Sequence, residues 1–293
     1  MAYGSPFSES EVEQYLTDIR RGRKPTLEQV ADLKRRYREI GGHSPLLNIT
    51  EAQASGLASY LQFKGMDVAV HYGMKHWHPY VAETIQKLLI HGTQRLALVL
   101  APHYSRMSIG GYRDLVQNAL ENTRIHLDFI ESWHDNVLFH KVMAERIVKG
   151  FTKFSPGTSV RVLFTAHSLP ERIIAEGDPY SMQLLESCKK VADLVNISNW
   201  SLAYQSAGHT EEKWLGPDIL DVLADMQPNS NVLVVPIGFV ADHLEILYDI
   251  DVKAQAYARS HSLNLNRTES LNASPSFIAV LADIVGKRLP LSE

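Results

Sequence analysis

From residue 66 onward the chain alternates. Short apolar runs of strand length give way repeatedly to stretches with helical spacing, and this alternation constrains the fold more than any other feature. Apolar runs at 66–72, 95–101 and 125–130 are separated by helical stretches near 79–91, 108–122 and 136–149. A turn-rich break, Gly150 to Ser159, follows and marks a candidate domain boundary. The pattern then restarts, with runs at 160–166, 200–205, 231–236 and about 252–257, and helices near 179–194, 216–226 and 241–248. Strand–helix alternation of this kind predicts an α/β fold, in which helices cover both faces of a parallel sheet. Three helix-start signals precede it: Ser8 with Glu11, Thr26 with Gln29 and Thr50 with Gln53 each match a capping box. A last helix starts at Ser274-Pro275 and ends near Arg288; its expected place is back on the first half. The expected domains are therefore 1–150 plus 274–293, and 151–273. Two similar α/β halves facing each other imply a cleft, and ligands of such sheets bind beyond the carboxyl ends of the strands.

Composition narrows the function classes. A net charge of −4 argues against a nucleic-acid binder, which needs a basic face. Hydrophobic residues at 45% and charged residues at 21% argue against disorder. The single cysteine, Cys188, excludes an internal disulfide and a four-cysteine zinc or iron–sulfur site, and fits a reducing, cytoplasmic setting. Its helical surroundings make it a packed side chain before a nucleophile. The longest apolar run, Val232 to Ala241, is broken by Pro236 and falls short of the ~20 residues a spanning helix needs. A monomer is the default expectation.

No glycine fingerprint for a dinucleotide and no phosphate-binding loop is present. Two segments carry chemistry instead. His167 follows the buried-strand run Val162 to Ala166 and precedes Ser168-Leu169-Pro170, which must leave the strand. This puts an imidazole where a doubly wound fold keeps its cleft; a histidine satisfied by local loop hydrogen bonds is the other reading. In the second segment, Pro236 to Asp251, a strand ends at a Pro/Gly turn and a helix starts near Asp242. A regular helix there sets Glu245 and Asp249 four apart on one face, where like charges repel and call for water, a cation or a function. A solvated acidic face is the plainer alternative. A histidine and a carboxylate from two strand ends form an open, under-coordinated metal site, suited to delivering an ion rather than storing it. His76 and His78, flanking Trp77, invite a metal reading too, but such residues commonly serve packing and turns.

The segments Phe164 to Pro170 and Pro236 to Glu245 resemble the two signature segments of ferrochelatases, which insert ferrous iron into a porphyrin. The likeness extends through Gly41 to Leu46, Tyr72 to Lys75, Leu100 to Ser105 and Trp214 to Asp218. The stretch Ile19 to Pro25 and the Trp214-Leu215-Gly216-Pro217-Asp218 form are most similar to the Gram-positive branch. There the substrate is coproporphyrin III and the product coproheme. The resemblance implies two similar Rossmann-like domains of the chelatase type and a role in heme biosynthesis. It makes His167 and Glu245 the catalytic pair and the ligands for incoming Fe2+, with Tyr3 facing the iron from the opposite side as an axial ligand. Arg20, Arg36, Tyr37, Ser44 and Tyr112 match positions that contact the porphyrin or its propionates. His43, His103 and His243 adjoin these motifs as structural neighbours. Ferrous iron enters as substrate; no permanently bound cofactor and no iron–sulfur cluster are expected. Protoporphyrin IX in place of coproporphyrin, cobalt chelation, and a non-catalytic porphyrin carrier are the competing functions.

Two departures stand out. Relatives of this branch often continue the acidic face of Glu245 and Asp249 with a further acid one turn on. Here that position is Lys253, which weakens an outer metal site, with Asp251 expected to compensate in part. Relatives also carry a brief hydrophobic run before the Met1-Ala2-Tyr3-Gly4 equivalent. The first sheet is therefore expected to lack a strand, with the true start upstream or the chain truncated, and with Tyr3 loosened as a result.

Overall fold

The computed structural model describes residues 1–208 and 210–289. It is an α/β fold built on two parallel sheets flanked by helices. In the first, β1 (Arg95–Val99) pairs with β2 (His126–Ile130). The second has the order β4 (Trp200–Gln205), β3 (Val160–His167), β5 (Asn231–Val235), β6 (Asn264–Arg267). Strand β3 is central. Its residues Val162 to Ala166 are fully buried, as expected of a strand covered on both faces. Register places Phe164 beside Val235 on one side and His167 beside Gln205 on the other. The turns that leave β3, β4 and β5 therefore open together at one end of the sheet.

Helices α1 (Val12–Ile19), α2 (Leu27–Glu39) and α3 (Leu46–Phe63) precede the sheets. The Thr26–Gln29 capping box opens α2: Thr26 Oγ1 accepts from Gln29 N at 3.2 Å, and Gln29 Oε1 accepts from Thr26 N at 3.0 Å. Thr50 starts nothing. It lies inside α3, where its hydroxyl donates to the Leu46 carbonyl four residues back, the usual escape for a mid-helix threonine. Helices α4 (Val81–Ile90) and α5 (Gly111–Ala119) pack together beside the first sheet. Helix α6 (Val137–Phe151) lies against β5 and against α8 (Tyr180–Val195), beyond the single turn α7 (Arg172–Ala175). One core cluster joins Leu61 of α3, Phe139 and Ile147 of α6, Phe164 of β3, Leu184 of α8 and Phe277. Each such side chain contributes roughly 1.5–3 kcal/mol by leaving water.

Two expected strands do not form. Residues 66–72 form neither strand nor helix; Val68 and Val70 pack on the core, and an isolated bridge joins Ala2 to Met74. Residues 252–257 are helical. After α9 (Ile219–Ala224) and β5, a single turn α10 (Leu244–Ile246) widens into a π-helix over Leu247–Ala254 and returns to α11 (Gln255–Ser260). Ile246, Ile250, Ala254 and Ala258, four residues apart, are all fully buried on one stripe, so the helical period wins over the apolar alternation of Val252 to Tyr257. The edge strand is β6, which starts seven residues after Tyr257. The closing helix, α12 (Pro275–Gly286), packs on α3 and α6. There Gly56 leaves space for Ile278, 3.1 Å from where a β-carbon would stand. Among the described residues, no helix is long and apolar enough to cross a membrane.

Candidate active site

His167 is the last residue of β3, and its own carbonyl is held by the Tyr180 hydroxyl at 3.0 Å. Glu245 comes from α10, after the turn that leaves neighbouring β5; its carbonyl accepts from Gln205 Nε2 at 2.9 Å. The parallel sheet thus brings three strand ends to one place. His167 Nδ1 lies 3.1 Å from Glu245 Oε2. A carboxylate only accepts, so Nδ1 carries the proton, and Nε2 keeps a lone pair while the imidazole is neutral. His243 Nε2 stands 3.6 Å from the same carboxylate oxygen, with its Nδ1 3.0 Å from the Ala241 carbonyl. The His167 and Glu245 side chains keep 34% and 38% of their surface exposed, so a ligand can reach them.

The electrostatics follow from this pairing. Burial alone would push the His167 pKa down, but the charge and hydrogen bond of Glu245, helped by Asp249, raise it overall. Burial would push Glu245 up; His167 and then His243 hold it well below the usual carboxylate range. Asp249 is raised, first by burial and then by Glu245, while the Ser206 hydroxyl that donates to it, Lys253 and Arg36 oppose the shift. The helix carrying these acids is not regular. It starts at Leu244 rather than near Asp242 and passes into the wider π winding, so Glu245 turns to His167 and Asp249 to Ser206. Asp251 does not compensate for Lys253. Both its carboxylate oxygens are taken by Arg267, at 2.7 and 2.8 Å.

Tyr3 and Tyr37 lie near enough to Glu245 to feel its charge. Tyr3, 43% exposed, has its phenol raised by burial, then by Glu245, Asp18 and Tyr37. Tyr37 is buried, its hydroxyl 3.1 Å from Ser5 Oγ; burial and Glu245 push it up to about 12 against the Ser5 hydrogen bond. Tyr112 is buried, and burial followed by Tyr3 raises it strongly. His76 packs its ring on Tyr3 at 4.6 Å and bonds Asp18 at 2.7 Å, a packing role, and His78 lies 3.4 Å from Glu83. Arg36 on α2 pairs with Asp32 at 2.7 Å and sits 5.3 Å from the Tyr248 ring of the π-helix, while among the described residues its buried Nε has no partner. Arg20 and Ser44 are not joined to the His167–Glu245 pair. Arg20 Nε donates to the Arg23 carbonyl at 3.3 Å, and Ser44 Oγ accepts from Leu46 N at 3.3 Å. Among the described residues, no group of three or more His, Cys, Asp or Glu is arranged to hold a metal ion.

Gln205 and Arg267 were not singled out from the sequence. Gln205 ends an apolar strand run as His167 does, and that position was the available signal. Arg267 gave none, because its partners lie 16 and 25 residues back. His103 is a buried histidine, 3.0 Å from Ser187 Oγ, whose pKa burial pushes down to about 3, so it stays neutral.

A family model described as Ferrochelatase matches residues 1–289. Ferrochelatase of Herpetosiphon aurantiacus is 44% identical, over 97% of this chain and 96% of that protein. Coproporphyrin III ferrochelatase of Geobacillus thermodenitrificans is 40% identical, over 99% and 94%, and that of Bacillus pumilus is 39% identical, over 100% and 97%. Among solved structures, SirB from Bacillus subtilis with Fe3+ superposes with a TM-score of 0.55 at 12% identity, over 79% of this chain and 88% of that one. CbiX, the terminal enzyme for siroheme biosynthesis in denitrifying bacteria, gives 0.55 at 12%, over 99% and 97%. At that identity the structural likeness speaks for the fold alone.

Proposed function

This chain belongs to the ferrochelatase family, a lyase family of heme biosynthesis whose substrates are a porphyrin and a metal ion, and on that premise we propose that it inserts ferrous iron into coproporphyrin III to give coproheme. The observation that carries the reading is the imidazole–carboxylate pair at 3.1 Å, with both side chains partly open to solvent. Metal insertion removes two pyrrole protons and places a desolvated Fe2+ at the ring centre. His167 Nε2 meets the incoming ion or a pyrrole proton on one face of the macrocycle. Glu245 fixes the tautomer and stabilises the imidazolium that forms, as a carboxylate partner does for a working histidine. Tyr3 faces the metal from the other side as axial ligand.

The ring lies against Tyr37, Ser44 and Tyr112, and its anionic rim meets Arg20 and Arg36, since guanidinium forks match carboxylates. Coproporphyrin III carries four propionates. The turn after α1 supplies Arg20, Arg21 and Arg23, none of which forms an ion pair among the described residues. Curated relatives at 39–40% identity are coproporphyrin III ferrochelatases, which supports the same substrate. A cytoplasmic monomer fits this reading.

Anaerobic steady-state assays with ferrous iron and each porphyrin test it. A kcat/KM for coproporphyrin III well above that for protoporphyrin IX is expected. The reverse order overturns the substrate, and no insertion with either overturns the chemistry.

A further inference from the structure

Three residues before Glu245 and six after it, the chain is tied to the same arginine. Arg267, the last residue of β6, directs Nε and Nη2 to the two oxygens of Asp251 at 2.7 and 2.8 Å, and Nη2 also reaches Asp242 Oδ1 at 3.2 Å. Its side chain is 16% exposed, so this fork sits mostly out of water. Asp242 is fastened further by the Ser270 hydroxyl at 2.6 Å and by Asn272 Nδ2 at 2.9 Å, while its own N–H donates to Asn272 Oδ1 at 2.8 Å. Among the described residues, none of these groups hydrogen-bonds to the His167 or Glu245 side chain.

We infer that Arg267 is a positioning residue for metal insertion, a clamp on both ends of the segment that aims Glu245 at His167. The inference rests on the reading of Glu245 as the working carboxylate. Between Asp242 and Asp251 the chain passes from a three-residue α-turn into π winding, a rare geometry that recurs at functional sites. So short a turn does little by itself to fix the direction of Glu245. Among the described residues, the only other polar tie on Glu245 outside the helix and the two histidines is Gln205 to its carbonyl. A bidentate guanidinium–carboxylate pair adds direction as well as strength, and here one guanidinium spans both flanks. Beside it lies a polar cavity of about 530 Å³, lined by Asp242, Asp251 and Arg267 together with Arg146 and Lys153. Removing the Arg267 side chain leaves a hole continuous with that cavity, which a small cation can enter.

The test uses the full chain with Arg267→Ala and Arg267→Lys. Insertion kcat is measured at saturating porphyrin, and porphyrin Kd by fluorescence quenching. Arg267→Ala is expected to lose about 100-fold in kcat, the scale of a misplacement near 1 Å, with Kd unchanged. Arg267→Lys, which keeps the charge but not the fork, recovers only part. Added guanidinium chloride restores the Ala variant in a saturable way, and sodium chloride at equal ionic strength does not. A wild-type kcat in Arg267→Ala overturns the clamp, as does a loss that tracks porphyrin binding or the folded fraction. Should Arg267→Ala fail to fold, Asp251→Asn removes one arm and is held to the same outcomes. Glu245→Gln separates the two ideas. An inactive Glu245→Gln beside a fully active Arg267→Ala overturns the clamp alone, whereas an active Glu245→Gln overturns the reading beneath it.

Discussion

Gly238 lies in the turn between β5 and α10, with its N–H donating to the Thr165 carbonyl at 3.1 Å, two residues before His167. A β-carbon there would stand 2.6 Å from Ala166 Cβ and 2.8 Å from Ala166 Cα. Carbon atoms rest at about 3.5–4.0 Å, so Gly238→Ala forces the turn and the end of β3 apart by roughly 0.9 Å. Ala166 is fully buried and its backbone is fixed in the ladder, so the movement falls on the turn that leads to Glu245. Overpacking of this kind costs about 1–3 kcal/mol, or roughly 2–12 °C in Tm for a chain of this size. A displacement near 1 Å at the reacting groups costs about 100-fold in rate. The assay is insertion kcat below the melting transition, with Gly150→Ala as the control. The control crowds Leu233 in the core, with a β-carbon 2.7 Å from its methyl, and leaves the strand ends alone. Gly238→Ala is expected to lose kcat and Gly150→Ala only stability. Equal kcat losses in both, or none in Gly238→Ala, refute the argument.

The remaining predictions concern charge and access. Because Glu245 and Asp249 raise the His167 pKa against burial, the acid limb of kcat/KM lies above the ~6.5 of free imidazole. Asp249→Asn removes a negative charge and moves that limb to lower pH; a limb that stays or rises contradicts it. The ion pair contributes fully to folding only between about pH 4.3 and 6.5. Above that window it is lost as pH rises through the raised His167 pKa, and below it as pH falls to the depressed Glu245 pKa. The Tm difference between wild type and Glu245→Gln therefore peaks inside the window, and a flat difference denies the pairing. Arg36→Met, removing a charge-assisted bond worth about 1.5–3 kcal/mol, raises KM for the four-carboxylate porphyrin at least tenfold (roughly, by the same figure) and leaves kcat alone; an unchanged KM removes Arg36 from the rim. Cys188 is fully buried, and burial raises its thiol strongly, so iodoacetamide labels it only on unfolding. Labelling of the native protein contradicts that packing.

Much of this site is legible in the sequence, because buried parallel strands announce themselves as apolar runs. The residue that ends such a run, His167, stands at the mouth of the sheet. The sequence does not say that β5 lies beside β3, and that adjacency sets Glu245 3.1 Å from the imidazole. Other features were hidden for physical reasons. Val252 to Tyr257 alternates like a strand, yet Ala254 and, beyond it, Ala258 extend a helical stripe whose π winding no 3.6-residue template describes. Thr50 followed by Gln53 looks like a helix start, but the preceding Leu46 already belongs to the helix. Asp251 reads as part of an acidic face until the fold delivers Arg267 to it from β6. Long-range charge pairing leaves no local spacing to read.

The central claim is that the His167–Glu245 pair performs the insertion while other residues hold the ring. Its most direct test is the anaerobic insertion rate of His167→Ala at saturating porphyrin, with porphyrin Kd measured on the same sample. The account predicts an abolished rate and an unchanged Kd. A rate near wild type, or a loss that merely follows weakened porphyrin binding, would contradict it.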